Sequence, residues 1–200
     1  MLQELPPSER SDTAALTIET ERLSLRHPVL ADCDAIARLI NDRRIAENLR
    51  RVPHPYHVSH AREFLAGLDG AGRETTFLIL RANELIGMVG LDWSRTDGAE
   101  LGYWLGLPFW GCGYATEAAQ AVIDLAFEDH DVARLHAAAR VANPASRRVL
   151  EKCGFQWSGV ELHRSVALGS STPVDCLYLD RGVWASLRSW GVARRRQGAT

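Results

Sequence analysis

The chain has 200 residues, 46% of them apolar and 24% charged, with a net charge of −2. That is ordinary globular composition, and the length is about one and a third times a 150-residue domain, so one domain with short tails is expected. No apolar run reaches the roughly 18 residues of a membrane-spanning helix, and the charge balance speaks against a nucleic-acid binder.

Residues 1–13, with Glu4, Pro6, Pro7, Glu9 and Arg10, have no apolar segment and read as a disordered leader, not a secretory signal. Residues 14–190 form the predicted domain, and 191–200, with Arg194, Arg195 and Arg196, a flexible basic tail. Cys33, Cys112, Cys153 and Cys176 are far apart and make no C-x-x-C pair. Neither a zinc site nor a disulfide framework is expected from them, and a reducing cytoplasm is the expected compartment.

Leu16–Arg26 alternates as a strand. A helix starting near Asp32 carries Ile36, Leu39 and Ile40 on one stripe. After an irregular stretch, Glu47–His57, Ser59 is placed to cap a second helix bearing Ala61, Phe64, Leu65 and Leu68. Thr75–Arg81 and Ile86–Trp93 are apolar runs joined by Ala82–Leu85, a hairpin pattern, with Gly87 and Gly90 marking a bulge or a close backbone approach. Glu100–Leu105 is the third strand of this meander. Thr116–His130 is a helix, Arg134–Val141 a strand, and Ala145–Lys152 a short helix closed by Gly154. Further strands are expected near Phe155–Trp157 and Asp175–Leu179. The order predicts a mixed α/β (α+β) domain with a mostly antiparallel sheet.

The chemistry is concentrated between Glu100 and Ala118. A strand ends near Leu105, and a loop with Gly111, Cys112, Gly113, Tyr114 and Ala115 delivers the chain into a helix at Thr116. Unpaired N–H groups and the positive dipole end at a helix start make an anion site, and glycine lets the backbone approach a ligand. A pyrophosphate is the expected guest. The loop is no dinucleotide fingerprint: Thr116 stands where a third glycine belongs, and the preceding strand is in an antiparallel meander. No G-K-[ST] occurs, which excludes a Walker loop.

Three blocks here, Glu100-Leu-Gly-Tyr-Trp-Leu105, Trp110-Gly-Cys-Gly-Tyr-Ala-Thr-Glu-Ala118 and Asn143-Pro-Ala-Ser146 leading to Glu151-Lys-Cys-Gly-Phe155, resemble the GNAT superfamily of N-acetyltransferases, in its RimJ/RimL-like branch. The resemblance extends from Thr20-Glu-Arg-Leu-Ser-Leu-Arg26 to Leu177-Tyr-Leu-Asp-Arg181. It implies the GNAT fold, splayed at the fourth predicted strand (Glu100–Leu105) with the sheet opening at Leu105, and binding of acetyl-coenzyme A by the glycine loop. It departs from the superfamily at the loop start, where the usual Arg or Gln is Trp110. By the same resemblance, backbone groups of Leu105 and Leu107 pair with the pantetheine amides, Asn143 bonds to the pantetheine arm, and Ser146 protonates the departing thiolate. Tyr178 and Tyr114 remain alternatives for that proton donor. Asn143 also reads as a turn-former ahead of Pro144, and Ser146 as a helix-capping residue.

Glu100 shares a strand face with Gly102 and Trp104 and is the candidate base, acting through water on an ammonium nucleophile; an exposed strand-end acid is the alternative. An α-amino group (pKa about 8) is neutral in roughly one molecule in ten at pH 7, a lysine (pKa about 10.4) in far fewer, which makes α-amines the easier acceptors. His54, His57 and His60 lie where the resemblance implies the acceptor side, without a cysteine or carboxylate at ligand spacing, so no metal is expected there. Two further readings stand beside transfer to an amine: a silent coenzyme A-binding sensor or assembly module, and a nucleotide-binding oxidoreductase. The acceptor, a peptide N-terminus or a small molecule, is open, as is a bulkier acyl donor. So is a homodimer formed through the segment with Trp184 and Trp190.

Overall fold

A computed structural model describes residues 17–71 and 73–197. The predicted leader, 1–13, and the last three residues of the predicted tail lie outside them. The element order is β1 (Thr17–Glu19), β2 (Ser24–Arg26), a 3-10 turn (Leu30–Asp32), α1 (Cys33–Ile40), α2 (Arg43–Ala46), α3 (Val58–Ala71), β3 (Glu74–Arg81), β4 (Glu84–Asp92), β5 (Ala99–Leu105), a 3-10 turn (Leu107–Phe109), α4 (Tyr114–Asp129), β6 (Arg134–Arg140), α5 (Pro144–Lys152), β7 (Gln156–Ser165), β8 (Ser170–Asp180) and α6 (Arg181–Gln197). No helix among the described residues is long and apolar enough to cross a membrane.

The eight strands make one sheet in the order β1-β2-β3-β4-β5-β6-β8-β7. Every neighbouring pair is antiparallel except β5 and β6, as the mixed, mostly antiparallel expectation required. The first predicted strand is in fact a hairpin. Thr20 breaks it: its N–H donates to the Leu23 carbonyl at 2.9 Å, and its hydroxyl oxygen accepts from the Leu23 N–H at 3.0 Å. The β3–β4 hairpin is tighter than predicted, turning on Ala82 and Asn83 alone. Both have positive φ, +47° and +66°, as a two-residue type I′ turn requires. The register of β3 and β4 shifts near Gly87, where a Cβ would come within 2.2 Å of the Trp104 carbonyl oxygen, so both expectations for that glycine hold.

Ser59 does not cap α3, which starts one residue earlier, at Val58. The N–H of His57 instead donates to Nδ1 of His60, at 3.0 Å, a reciprocal bond of capping-box type with imidazole as acceptor. Cys33, Ile36, Ala37 and Ile40 form the buried stripe of α1. The β7–β8 hairpin is much longer than the two short strands predicted. It forms the sheet edge, and β7 is exposed along most of its length, so no core periodicity marks it in sequence. The last helix continues to Gln197, past Trp190 where the predicted domain ends.

The sheet separates two apolar clusters. On one face α4 packs onto Phe77, Val89, Leu101, Leu135 and Leu177; on the other α1 and α3 pack onto Leu78 and Met88. Alternation along β5 sends Leu101, Tyr103 and Leu105 to the α4 face and Glu100, Gly102 and Trp104 to the α1/α3 face.

Candidate active site

A gap in the sheet builds the site. β5 and β6 pair through Ala99↔Leu135, Glu100↔His136 and Leu101↔Ala137 only. Beyond these, β6 continues to Arg140 against β8, while β5 continues to Leu105 against β4. The splay therefore opens just after Leu101, four residues before the Leu105 expected from sequence. Between the diverging strands lies a cleft of about 980 Å³. That is at the upper end of the roughly 300–1,000 Å³ of small-molecule sites.

One end of the cleft is the glycine loop. Gly111 and Gly113 sit at φ +75° and +83°, in the left-handed region that L side chains avoid. The first backbone bond of α4 runs from Glu117 N–H to the Gly113 carbonyl, at 3.1 Å. The N–H groups of Tyr114, Ala115 and Thr116 thus precede the helical ladder, at the positive end of the dipole. All three residues and both glycines line the cleft; Cys112 is exposed and does not. The Trp110 departure acquires a structural reason, because its indole N–H donates to the Leu105 carbonyl at 2.7 Å and ties loop to strand. Leu105 lines the cleft with that carbonyl engaged. Leu107 lies off the wall, in the 3-10 turn, its carbonyl taken by the Trp110 N–H at 3.1 Å.

Sequence reasoning missed the clamp beneath this loop. Glu117, in the first turn of α4, accepts from the Thr20 hydroxyl (2.6 Å), the Arg22 N–H (2.8 Å) and Arg22 Nε (2.7 Å). Arg22 also donates to the Cys112 carbonyl, at 3.1 Å, and lies over the Tyr114 ring. Burial pushes the Glu117 carboxyl up, and the hydrogen bonds from Thr20 and Arg22 outweigh it, leaving it below the usual range. The signal was in the Thr20-Glu-Arg22 block, but the partner stands 95 residues away.

The candidate catalytic residues come from opposite faces of the sheet and both line the cleft at the gap. Glu100 lies on the α1/α3 side, next to Gly102, where an added Cβ would have nothing within 4 Å. Ser146 lies in the first turn of α5, on the α4 side. Both line the same cleft. Asn143 is the N-cap of α5: its Oδ1 accepts from Ser146 N–H at 3.2 Å, which leaves its amide nitrogen to donate. Capping is thus the role of Asn143 and not of Ser146. Neither tyrosine held in reserve stands beside Ser146. Tyr178 lies under Arg134 off the cleft wall, and Tyr114 is packed into the core beneath Arg22. The tyrosine at Ser146 is Tyr103, which was not singled out from sequence: its hydroxyl is 2.9 Å from Ser146 Oγ.

The other end of the cleft is roofed by the α2–α3 segment and the β7–β8 hairpin. Val166 N–H donates to the Arg50 carbonyl at 3.1 Å, and Arg140 Nη1 to the Glu47 carbonyl at 3.0 Å. Of the three clustered histidines, His60 reaches the cleft. Among the described residues, the group with ligand-type atoms close together is Glu161, His163 and Cys176, within 4.8 Å of one another. There the Glu161 carboxylate already accepts from both neighbours. None of the four cysteines lines the cleft, and burial pushes the Cys153 thiol up to about 12.

Comparison with known proteins agrees with this architecture. The family model for the acetyltransferase (GNAT) domain matches residues 22–156. Uncharacterized N-acetyltransferase p20 of Bacillus licheniformis is 30% identical over 151 residues, 72% of this chain and 84% of its own. The ribosomal-protein-serine acetyltransferase of Escherichia coli (strain K12) is 32% identical over 94 residues, 46% of this chain and 52% of its own. The solved structure of RimL, the ribosomal L7/L12 alpha-N-protein acetyltransferase, in complex with coenzyme A has a TM-score of 0.74 at 22% identity, over 82% of this chain and 98% of that one. Spermidine N-acetyltransferase from Vibrio cholerae, in complex with CoA and spermine, has a TM-score of 0.72 at 22% identity, over 83% and 99%. The two structures carry the same fold under names for different acceptors. The matched span runs from the Arg22 clamp through the glycine loop to the end of α5, and on it the chain belongs to the GNAT acetyltransferase family.

Proposed function

We propose that this acetyltransferase moves the acetyl group of acetyl-coenzyme A directly to a primary amine, with Glu100 taking a proton from the amine through a water and Ser146 returning one to sulfur. The carrying observation is the gap after Leu101, which brings residues from the two faces of the sheet to one cleft. An amine arriving on the Glu100 side and a thiolate leaving on the Ser146 side need not share space. Gly111, Gly113 and the first N–H groups of α4 would hold the pyrophosphate, and the Asn143 amide the pantetheine arm. An α-amine fits a carboxylate base best, since a weak base suffices for a group already partly neutral at pH 7. A peptide N-terminus is therefore the favoured acceptor.

Two measurements test this. Incubation with acetyl-coenzyme A and no acceptor should leave the protein mass unchanged; stoichiometric acetylation of a cysteine would overturn direct transfer. Glu100→Gln keeps volume and hydrogen bonding but removes the base, so kcat should fall on the order of a hundredfold while coenzyme A affinity holds. The loss should shrink as pH rises toward the acceptor's pKa, where neutral amine needs no base. An equal loss at every pH, or lost coenzyme A binding, would reassign Glu100 to structure.

A further inference from the structure

Tyr103 stands on one bank of the gap, on β5, and Ser146 on the other, at the start of α5. One phenol oxygen spans them, 2.9 Å from Ser146 Oγ and 3.0 Å from the Ser146 carbonyl oxygen. With its N–H taken by Asn143, Ser146 is held at all three of its polar groups. The phenol has one hydrogen and two acceptors within reach. When that hydrogen lies on the carbonyl, the serine hydroxyl can donate to the phenol oxygen. When it lies on Oγ, the serine hydrogen is released to point into the cleft. The two arrangements interconvert by rotation about C–O bonds, with no proton transferred.

We propose that Tyr103 is a positioning residue that sets the direction of the Ser146 hydroxyl for its proton transfer to the departing thiolate. The inference rests on the reading of Ser146 as the proton donor. Once the amine nitrogen has bonded to the acetyl carbon, the carbon–sulfur bond breaks and its electron pair goes to sulfur, which takes the Ser146 hydrogen. The Tyr103 hydroxyl, turned onto Oγ, stabilises the negative charge left there. The proton lost by the amine passes through the water to the Glu100 carboxylate, and Oγ recovers one from solvent as coenzyme A leaves. Burial holds the Tyr103 phenol well above its usual range, so it remains a donor throughout and does not itself titrate.

The test is a double-mutant cycle of Tyr103→Phe and Ser146→Ala, reading kcat over roughly pH 6.5–9.5 and coenzyme A affinity by calorimetry. The ring is kept in Tyr103→Phe, and unchanged coenzyme A affinity certifies its fold. Its kcat should fall on the order of tenfold, by the same factor at every pH. Added to Ser146→Ala, it should cost nothing more. Losses that multiply, or a Tyr103→Phe variant at the wild-type rate beside a slow Ser146→Ala, would overturn the inference and leave the serine reading standing. A Ser146→Ala variant at the wild-type rate would overturn both. In that case a slow Tyr103→Phe would mean that the phenol acts without the serine.

Discussion

Gly111 and Gly113 differ in what a side chain would meet. At Gly111 an added Cβ has open space, while at Gly113 it comes 3.4 Å from Arg22 Nη2. Gly111→Ala therefore isolates the backbone cost, about 1–2 kcal/mol for a left-handed L residue. Expressed at the loop, that is a roughly five- to thirtyfold loss of coenzyme A affinity with kcat little changed, measurable by calorimetry. Gly102 gives the opposite signature. It faces the cleft beside Glu100, so Gly102→Val should raise the KM of the acceptor and leave coenzyme A binding alone; a parallel loss of both would mean that the sheet itself had shifted. The glycines and Glu100 were legible in sequence because strand alternation and loop chemistry are local rules. Tyr103 was not, because its meaning depends on a serine 43 residues away.

At the scale of elements, the β1–β2 hairpin buttresses the start of α4 through Glu117. Glu117→Gln keeps the shape but removes the charge that Arg22 answers, so coenzyme A affinity should fall roughly threefold to tenfold with the loop intact. The pH dependence follows from the lowered Glu117 pKa. A carboxyl depressed in the folded state contributes stability above its unfolded value of about 4.3, and that contribution is lost as pH falls through the folded value. Melting temperatures of wild type and Glu117→Gln should therefore differ near neutrality and converge on acidification. A difference persisting below the folded pKa would remove the ion pair as its cause. Elements with a buried stripe, such as α1 and α4, could be read from sequence. The Thr20 break and the β7–β8 hairpin could not, one being set by a single hydroxyl and the other by edge pairing without a core face.

At the scale of the whole molecule, the described residues pack into two apolar layers, one on each face of the sheet. Phe127, 1% exposed, points from α4 into the layer between that helix and the sheet, so Phe127→Ala should cost about 3–5 kcal/mol of unfolding free energy by the usual cavity scale, measurable by urea denaturation. The mixed, mostly antiparallel order was legible from the run of strands and helices; the point of splaying was not, since it depends on how far β6 follows β5. That point has a mechanical consequence. Below, the two halves of the sheet are stitched by three residue pairs; above, Val166 to Arg50 and Arg140 to Glu47 tie them again. The cleft is thus an eyelet and not a trough. Its upper tie rests on two hydrogen bonds, one between backbone groups worth about 0.5–1.5 kcal/mol and one from the Arg140 guanidinium worth about 1.5–3 kcal/mol, so it can part and re-form on its own, without unfolding either half. Faster amide exchange at Val166 than along the stitched strands would register this, and traffic through the eyelet would then be set by a latch and not by the width of the hole.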